Sequence, residues 1–114
     1  MPYLSVRTNR TINEGDQKSF LNKASALVAS ELGKPESYVM VAFSPPQPMI
    51  FAGSDDACAY LELKSIGLPD NKTSLLSHTL CGLVDSELKI PGDRTYIEFI
   101  DAPRNKWGWK GGTF

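Results

Sequence analysis

One histidine, two cysteines and no long apolar run remove several kinds of chemistry at the outset. Cys58 and Cys81 lie 23 positions apart with no CxxC spacing, which fits a reducing compartment and makes no disulfide framework. With one histidine they do not make a zinc site either. His78 sits inside a helical pattern. Cys81 is three residues further on, but a thiol–imidazole pair there would have no oxyanion donors beside it, and nothing supports a Ser–His–Asp triad. No glycine-rich phosphate loop follows a strand and opens a helix; Gly108, Gly111 and Gly112 cluster at the tail. Net charge is −1 with a pI near 5.8, and no basic stripe runs beside the aromatics. That excludes the electrostatic footprint of a nucleic-acid or anionic-membrane binder. No stretch nears the roughly 18 apolar residues that span a membrane. Residues 1–15 hold no apolar signal run, so the cytoplasm is the expected location. Asn9-Arg10-Thr11 and Asn71-Lys72-Thr73 match the glycosylation sequon; without a signal they read as chance.

What is present is ordinary in amount and unusual in arrangement. The 114 residues suit one domain, residues 1–114, with a core that needs no staples. The 17 residues 27–43 ("LVASELGKPESYVMVAF") align with 83–99 ("LVDSELKIPGDRTYIEF") at an offset of 56, with seven identities. Seven in register point to an internal duplication, with pseudo-repeats of about 2–53 and 54–114. Upstream in each copy runs a helical face: Phe20, Ala24, Leu27, Val28, then Leu76, Leu80, Leu83, Val84. Asp16 and either Asp70 or Asn71 suit N-caps. Pro35 and Pro91 end the helices. Strands are expected at 3–8, 38–44, 57–65 and 95–101, rich in Val, Tyr, Ile and Phe.

Each half therefore reads β-α-β, and a strand–helix–strand crossover makes its two strands parallel. The expected fold is α/β (α+β), a four-stranded mixed sheet with two helices on one face. "PPQPMIFAG" (45–53) joins the halves, with a short extended piece at 49–51, and "GWKGGTF" (108–114) suits a hairpin or an edge strand against a neighbour. Leu4, Val6, Val39, Val41, Leu61, Leu63, Ile97 and Phe99 read as apolar on more than one phase. The face without helices is then expected to be apolar and to need a partner, most economically another copy of the chain.

Met1 is followed by proline, and a small second residue permits removal of the methionine. Pro2 taken alone reads as a rigid first strand residue whose missing N–H costs nothing. A mature chain starting at Pro2 would instead carry a free secondary amine, able to act as a base if its pKa is brought near 7. The two strands of a parallel βαβ unit start at one sheet edge. Pro2 opens the first strand and Lys34 lies in the turn before the second, so the topology brings a cation to the amine. Lys34 taken alone is a charge near a helix C-terminus.

With Met1-Pro2, "GKPESYVMV" (33–41), "PMIFAG" (48–53), "SIG" (65–67), "LCGLV" (80–84), "DRTYIEF" (93–99) and "GWKGGTF" (108–114) in this order, the chain resembles the macrophage migration inhibitory factor family of the tautomerase superfamily, over its full length. The first half and the ending look most like plant, algal or microbial members. The resemblance implies a homotrimer with active sites at subunit interfaces. It implies keto–enol tautomerisation of phenylpyruvate-like acids, with dopachrome a further candidate substrate, and Pro2 as catalytic base. It makes Lys34 the carboxylate anchor and puts the backbone of Ile66 nearby. Tyr38, Trp109 and Phe114 become an aromatic wall, and Tyr96 reaches in from a neighbouring subunit. No metal or organic cofactor is implied.

Departures from the mammalian members bear on this. Glu98 stands where they have asparagine, adding a negative charge beside the site. Trp107 replaces a small aliphatic residue at the rim and Lys64 a histidine. "CAYL" (58–61) lacks the second cysteine of their CxxC, which disfavours thiol oxidoreductase activity. Pro46 replaces an acidic loop residue tied to receptor binding, which weakens a signalling claim. The alternative reading is a cytokine-like or protein-interaction factor with a vestigial pocket; a protein receptor and leaderless export, shown by some members, stay open.

Overall fold

A computed structural model describes residues 1–114. The order is β1 (Tyr3–Thr8), α1 (Glu14–Leu32), β2 (Met40–Phe43), β3 (Ala59–Ile66), α2 (Thr73–Leu88), β4 (Thr95–Ala102), β5 (Gly108–Trp109) and β6 (Gly112–Thr113). The main sheet runs β2-β1-β3-β4, with β1/β2 and β3/β4 parallel and β1/β3 antiparallel. The two β-α-β units thus meet at their first strands. Four 3₁₀ turns, at Glu36–Tyr38, Asp70–Lys72, Gly92–Arg94 and Arg104–Lys106, each begin directly after a proline held near φ −60° to −71°. The first of them takes up Tyr38, so β2 starts two residues later than the composition suggests. Residues 49–51 form no strand; Phe51 makes only a bridge to Ser54.

Helix ends show the duplication diverging. Asn13, not Asp16, caps α1: its side chain accepts from the Asp16 amide at 2.8 Å, and Asp16 sits in the first turn. At the other end Gly33 adopts φ 62°, and the amides of Gly33 and Lys34 return to the carbonyls of Ser30 and Ala29. These are the two bonds of a Schellman closure. The equivalent residue after α2 is Lys89, also left-handed at φ 59°, a conformation that costs a side-chain-bearing residue about 1 kcal/mol.

The core lies between the helices and one sheet face. Phe20, Ala24 and Val28 of α1 and Leu76, Leu80, Val84 and Leu88 of α2 meet Leu4, Val6, Leu61 and Leu63. All four of those strand residues are fully buried, each worth about 1.5–3 kcal/mol of apolar transfer. Phe43 adds an edge-to-face contact with Phe20 at 6.0 Å between ring centroids.

The register corrects the expectation of a second apolar face. Leu4 pairs with Leu63 and Val41, Leu63 with Phe99, Val6 with Leu61 and Phe43, and Leu61 with Ile97. All of them share one phase, the one the helices cover. The open face carries three rows instead: Met40, Tyr3, Lys64 and Ile100; then Ala42, Ser5, Glu62 and Glu98; then Arg7, Tyr60 and Tyr96. It is charged and aromatic rather than aliphatic. Arg7 Nη1 donates to Glu62 Oε1 at 3.4 Å, Lys64 lies 3.6 Å from Glu62 Oε2, and the Tyr60 hydroxyl donates to Glu98 at 2.9 Å. That hydrogen bond holds the Tyr60 phenol above its ordinary pKa.

Candidate active site

Pro2 is buried at the start of β1, and its carbonyl accepts from the Met40 amide at 3.0 Å, which joins it to β2. The Schellman turn delivers Lys34 to the same end of the sheet. With Met1 in place the terminal amine donates to the Tyr38 carbonyl at 3.1 Å. Its pKa is lowered, first by burial and then by repulsion from Lys34. Lys34 is therefore close enough for its charge to be felt at the chain start, as the parallel topology requires.

The wall of the site comes from the tail. Lys110 and Gly111 take φ 53° and 80°, the double positive φ of a type I′ turn, which folds β5 onto β6. Lys-Gly supplies one residue that tolerates this conformation freely. The hairpin sets Trp109 and Phe114 nearly stacked at 5.4 Å, both edge-on to Tyr38 at 5.7 and 5.9 Å. The Phe114 amide donates to the Trp107 carbonyl at 3.3 Å. Together these residues enclose a cleft of about 500 Å³ lined by Met1, Pro2, Tyr3, Ser37, Tyr38, Val39, Met40, Lys64, Trp107, Gly108, Trp109 and Phe114.

Five of the expected site residues, Pro2, Tyr38, Trp107, Trp109 and Phe114, thus line one cleft. Lys34 does not line the cleft, but its charge helps lower the pKa of the Met1 amine, which does. Ile66, buried at the end of β3, lies two residues beyond Lys64 at the same end of the sheet but does not line the cleft. Tyr96 and Glu98 lie elsewhere in the chain. Tyr96 is level with Arg7, five residues along from Pro2, about 16 Å at strand rise, and two strands across. It packs on Phe51 at 4.6 Å, in an apolar hollow with Met49, Ile50 and Cys58.

Arg94 is a functional-looking residue that the sequence reading passed over. It donates to the carbonyls of Ala57, Phe51, Ser54 and Asp56 at 3.0–3.2 Å and stacks over Phe51 at 5.2 Å. Asn9 ties the same segment, donating to Asp55 and Asp56 and accepting from the Cys58 amide. Both are structural clamps. The only sequence signal for Arg94 is an arginine at the turn into a strand.

The family model described as macrophage migration inhibitory factor (MIF) matches residues 1–114. The chain belongs to the macrophage migration inhibitory factor family. Curated MIF relatives include the homolog of Brugia malayi, 46% identical over 116 residues, with 100% of this chain and 99% of the relative covered. The Mus musculus protein is 37% identical over 118 residues, with the same coverage. Among solved structures, the MIF homologue from Prochlorococcus marinus superposes with a TM-score of 0.93 at 38% identity, covering 98% of each chain. The MIF fold, with its two helices, mixed four-stranded sheet and extra short strands, is thus that of this chain. No helix is long and apolar enough to cross a membrane.

Proposed function

We propose that the chain, once Met1 is removed, is a keto–enol tautomerase of small aromatic 2-keto acids such as phenylpyruvate. The observation that carries this is a buried Pro2 at the mouth of an aromatic cleft, beside a cation whose charge disfavours protonation of the chain's amine. Family membership supports the same class of reaction. In the processed chain the Pro2 nitrogen is a secondary amine, one residue deeper than the amine of Met1. Burial therefore acts on it more strongly. Its neutral form takes a proton from the carbon next to the keto group. Electrons shift toward the carbonyl oxygen, and the resulting ammonium returns the proton there. Lys34 holds the carboxylate, while Tyr38, Trp107, Trp109 and Phe114 pack the ring. These steps draw on no metal or organic cofactor.

Assembly belongs to the same proposal. In a homotrimer, Tyr96 and Glu98 of a neighbouring copy complete the pocket, and the Ile66 backbone borders it. The register leaves no unshielded aliphatic face to drive association. What supports assembly is a pair of unpaired edge strands, β2 and β4, together with Met40, Ile50 and Tyr96 at 64%, 72% and 64% exposure. Light scattering should return about three times 12.5 kDa, and a monomer at micromolar concentration contradicts an interface site.

The aromatic wall makes a further prediction. Phenylpyruvate should turn over at least tenfold faster than pyruvate at equal subsaturating concentration, because ring burial is worth about 1.5–3 kcal/mol. Equal rates would mean that the four side chains only pack the tail. A second reading, a protein-interaction factor, is favoured by the open exposure of Trp109 and Tyr38 at 52% and 39%. Processed protein that binds aromatic acids without turning them over would select it.

A further inference from the structure

The cleft is lined by a lysine, Lys64, that the proposed chemistry does not use. Lys64 stands on β3 directly opposite Tyr3 and lines the cleft with Pro2. It comes from the sheet, whereas Lys34, after the end of α1, does not line the cleft. Its one ionic partner is Glu62, at 3.6 Å, and Glu62 is shared with Arg7 at 3.4 Å. One carboxylate serves both cations, while Glu98, beside Glu62 in the same row, accepts from the Tyr60 hydroxyl and is not paired with Lys64. The Lys64 side chain is 40% exposed, so its pairing is of the solvent-screened kind that contributes little. If Lys64 turns toward a ligand, Glu62 keeps Arg7 as its partner. The sheet therefore presents a cation to the cleft that is held in place yet released at low cost.

We propose that Lys64 is a second anion anchor, and that the substrates this site prefers are 2-keto acids bearing a second anionic group. The inference rests on the tautomerase reading for the word substrate. It rests on the charge arrangement alone for the binding of diacids. Lys34 takes the carboxylate next to the keto group, and Lys64 takes the second anion, with the ring between them against Tyr38 and Trp109. Lysine suits this role as a mobile point charge on a flexible stem.

Two measurements separate the claims. The first compares KM for 4-carboxyphenylpyruvate and phenylpyruvate in processed wild type, Lys64→Met and Lys64→Arg. The ratio of diacid to monoacid KM should rise about tenfold in Lys64→Met, as for one lost charge contact, and return in Lys64→Arg. The second reads binding without turnover, by quenching of tryptophan fluorescence with 4-carboxycinnamate and cinnamate. The same tenfold change in the ratio of Kd values should appear and should shrink in high salt. Ratios that stay within twofold in both measurements, or a diacid that does not bind, overturn the anchor. No turnover of either keto acid, with the Kd effect intact, overturns the tautomerase reading and leaves the anchor standing.

Discussion

Pro2→Gly, in the processed chain, is expected to lose about 100-fold in turnover of phenylpyruvate while keeping the fold and the oligomer. A positioned general base contributes about 10²–10⁴. Glycine leaves a primary amine but removes the ring that fixes its direction, and rotation about the N–Cα bond becomes free. The loss therefore falls at the lower end of that range. The sheet should survive, because the contact that ties this residue to β2 is its carbonyl accepting from Met40, which glycine retains. Stopped-flow or steady-state ultraviolet assays of enol formation would read the change. Half of the wild-type rate in Pro2→Gly contradicts the base assignment.

Lys34→Ala carries the second large effect, in two parts. The anchor is lost, so KM for phenylpyruvate should rise about tenfold, the worth of one charge contact in a partly open cleft. The pH dependence should also move. Lys34 lowers the pKa of the Met1 amine by like-charge repulsion, and the same repulsion is expected at the Pro2 amine of the processed chain. Without it the ammonium is easier to form and the amine pKa rises. At any given pH a smaller fraction is then free base, so the limb of kcat/KM that rises with pH shifts to higher pH. Burial is the larger cause and remains, so the variant's amine should still titrate below a free proline amine. A KM change with an unmoved pH limb would make Lys34 an anchor only.

Much of the architecture was readable before any coordinates, for identifiable reasons. Phe20, Ala24 and Val28, like Leu76, Leu80 and Val84, repeat at helical spacing because each set faces one core. Prolines 35 and 91 mark where each unit turns back. The approach of Lys34 to the chain start follows from a parallel crossover, and so was legible from topology. The phase of the strands was not. Val39, Val41 and Phe43 all pack toward the helices, but which side of the sheet they share with Leu4 and Leu63 depends on pairing between strands. The antiparallel pairing of β1 with β3 is a long-range contact that no local pattern encodes. Only that register shows that Val6, Leu61 and Ile97 share a face, and that Arg7, Glu62, Lys64 and Glu98 make the other one polar.

The site divides along the same line. Pro2 was conspicuous by position, whereas the folding of the tail over it was available only through resemblance. A Lys-Gly pair is a weaker hairpin signal than Asn-Gly. Tyr96 and Glu98 sit far from Pro2 in their own chain, so one chain alone leaves that part of the pocket unbuilt. Lys64 stood out as a substitution before its place in the cleft was visible; the charge row that frees it depends on Arg7, which comes from another strand.

The central claim is that the free amine of Pro2 is the base, and it is tested most directly by the chain's own two N-terminal forms. With Met1 retained, the Pro2 nitrogen is an amide and cannot accept a proton, while every other side chain of the cleft remains. Both forms would be prepared, verified by intact mass and assayed side by side on phenylpyruvate near pH 7. The processed form should turn the substrate over, and the Met1-retained form should be slower by about 100-fold or more. Equal rates for the two forms would contradict the account.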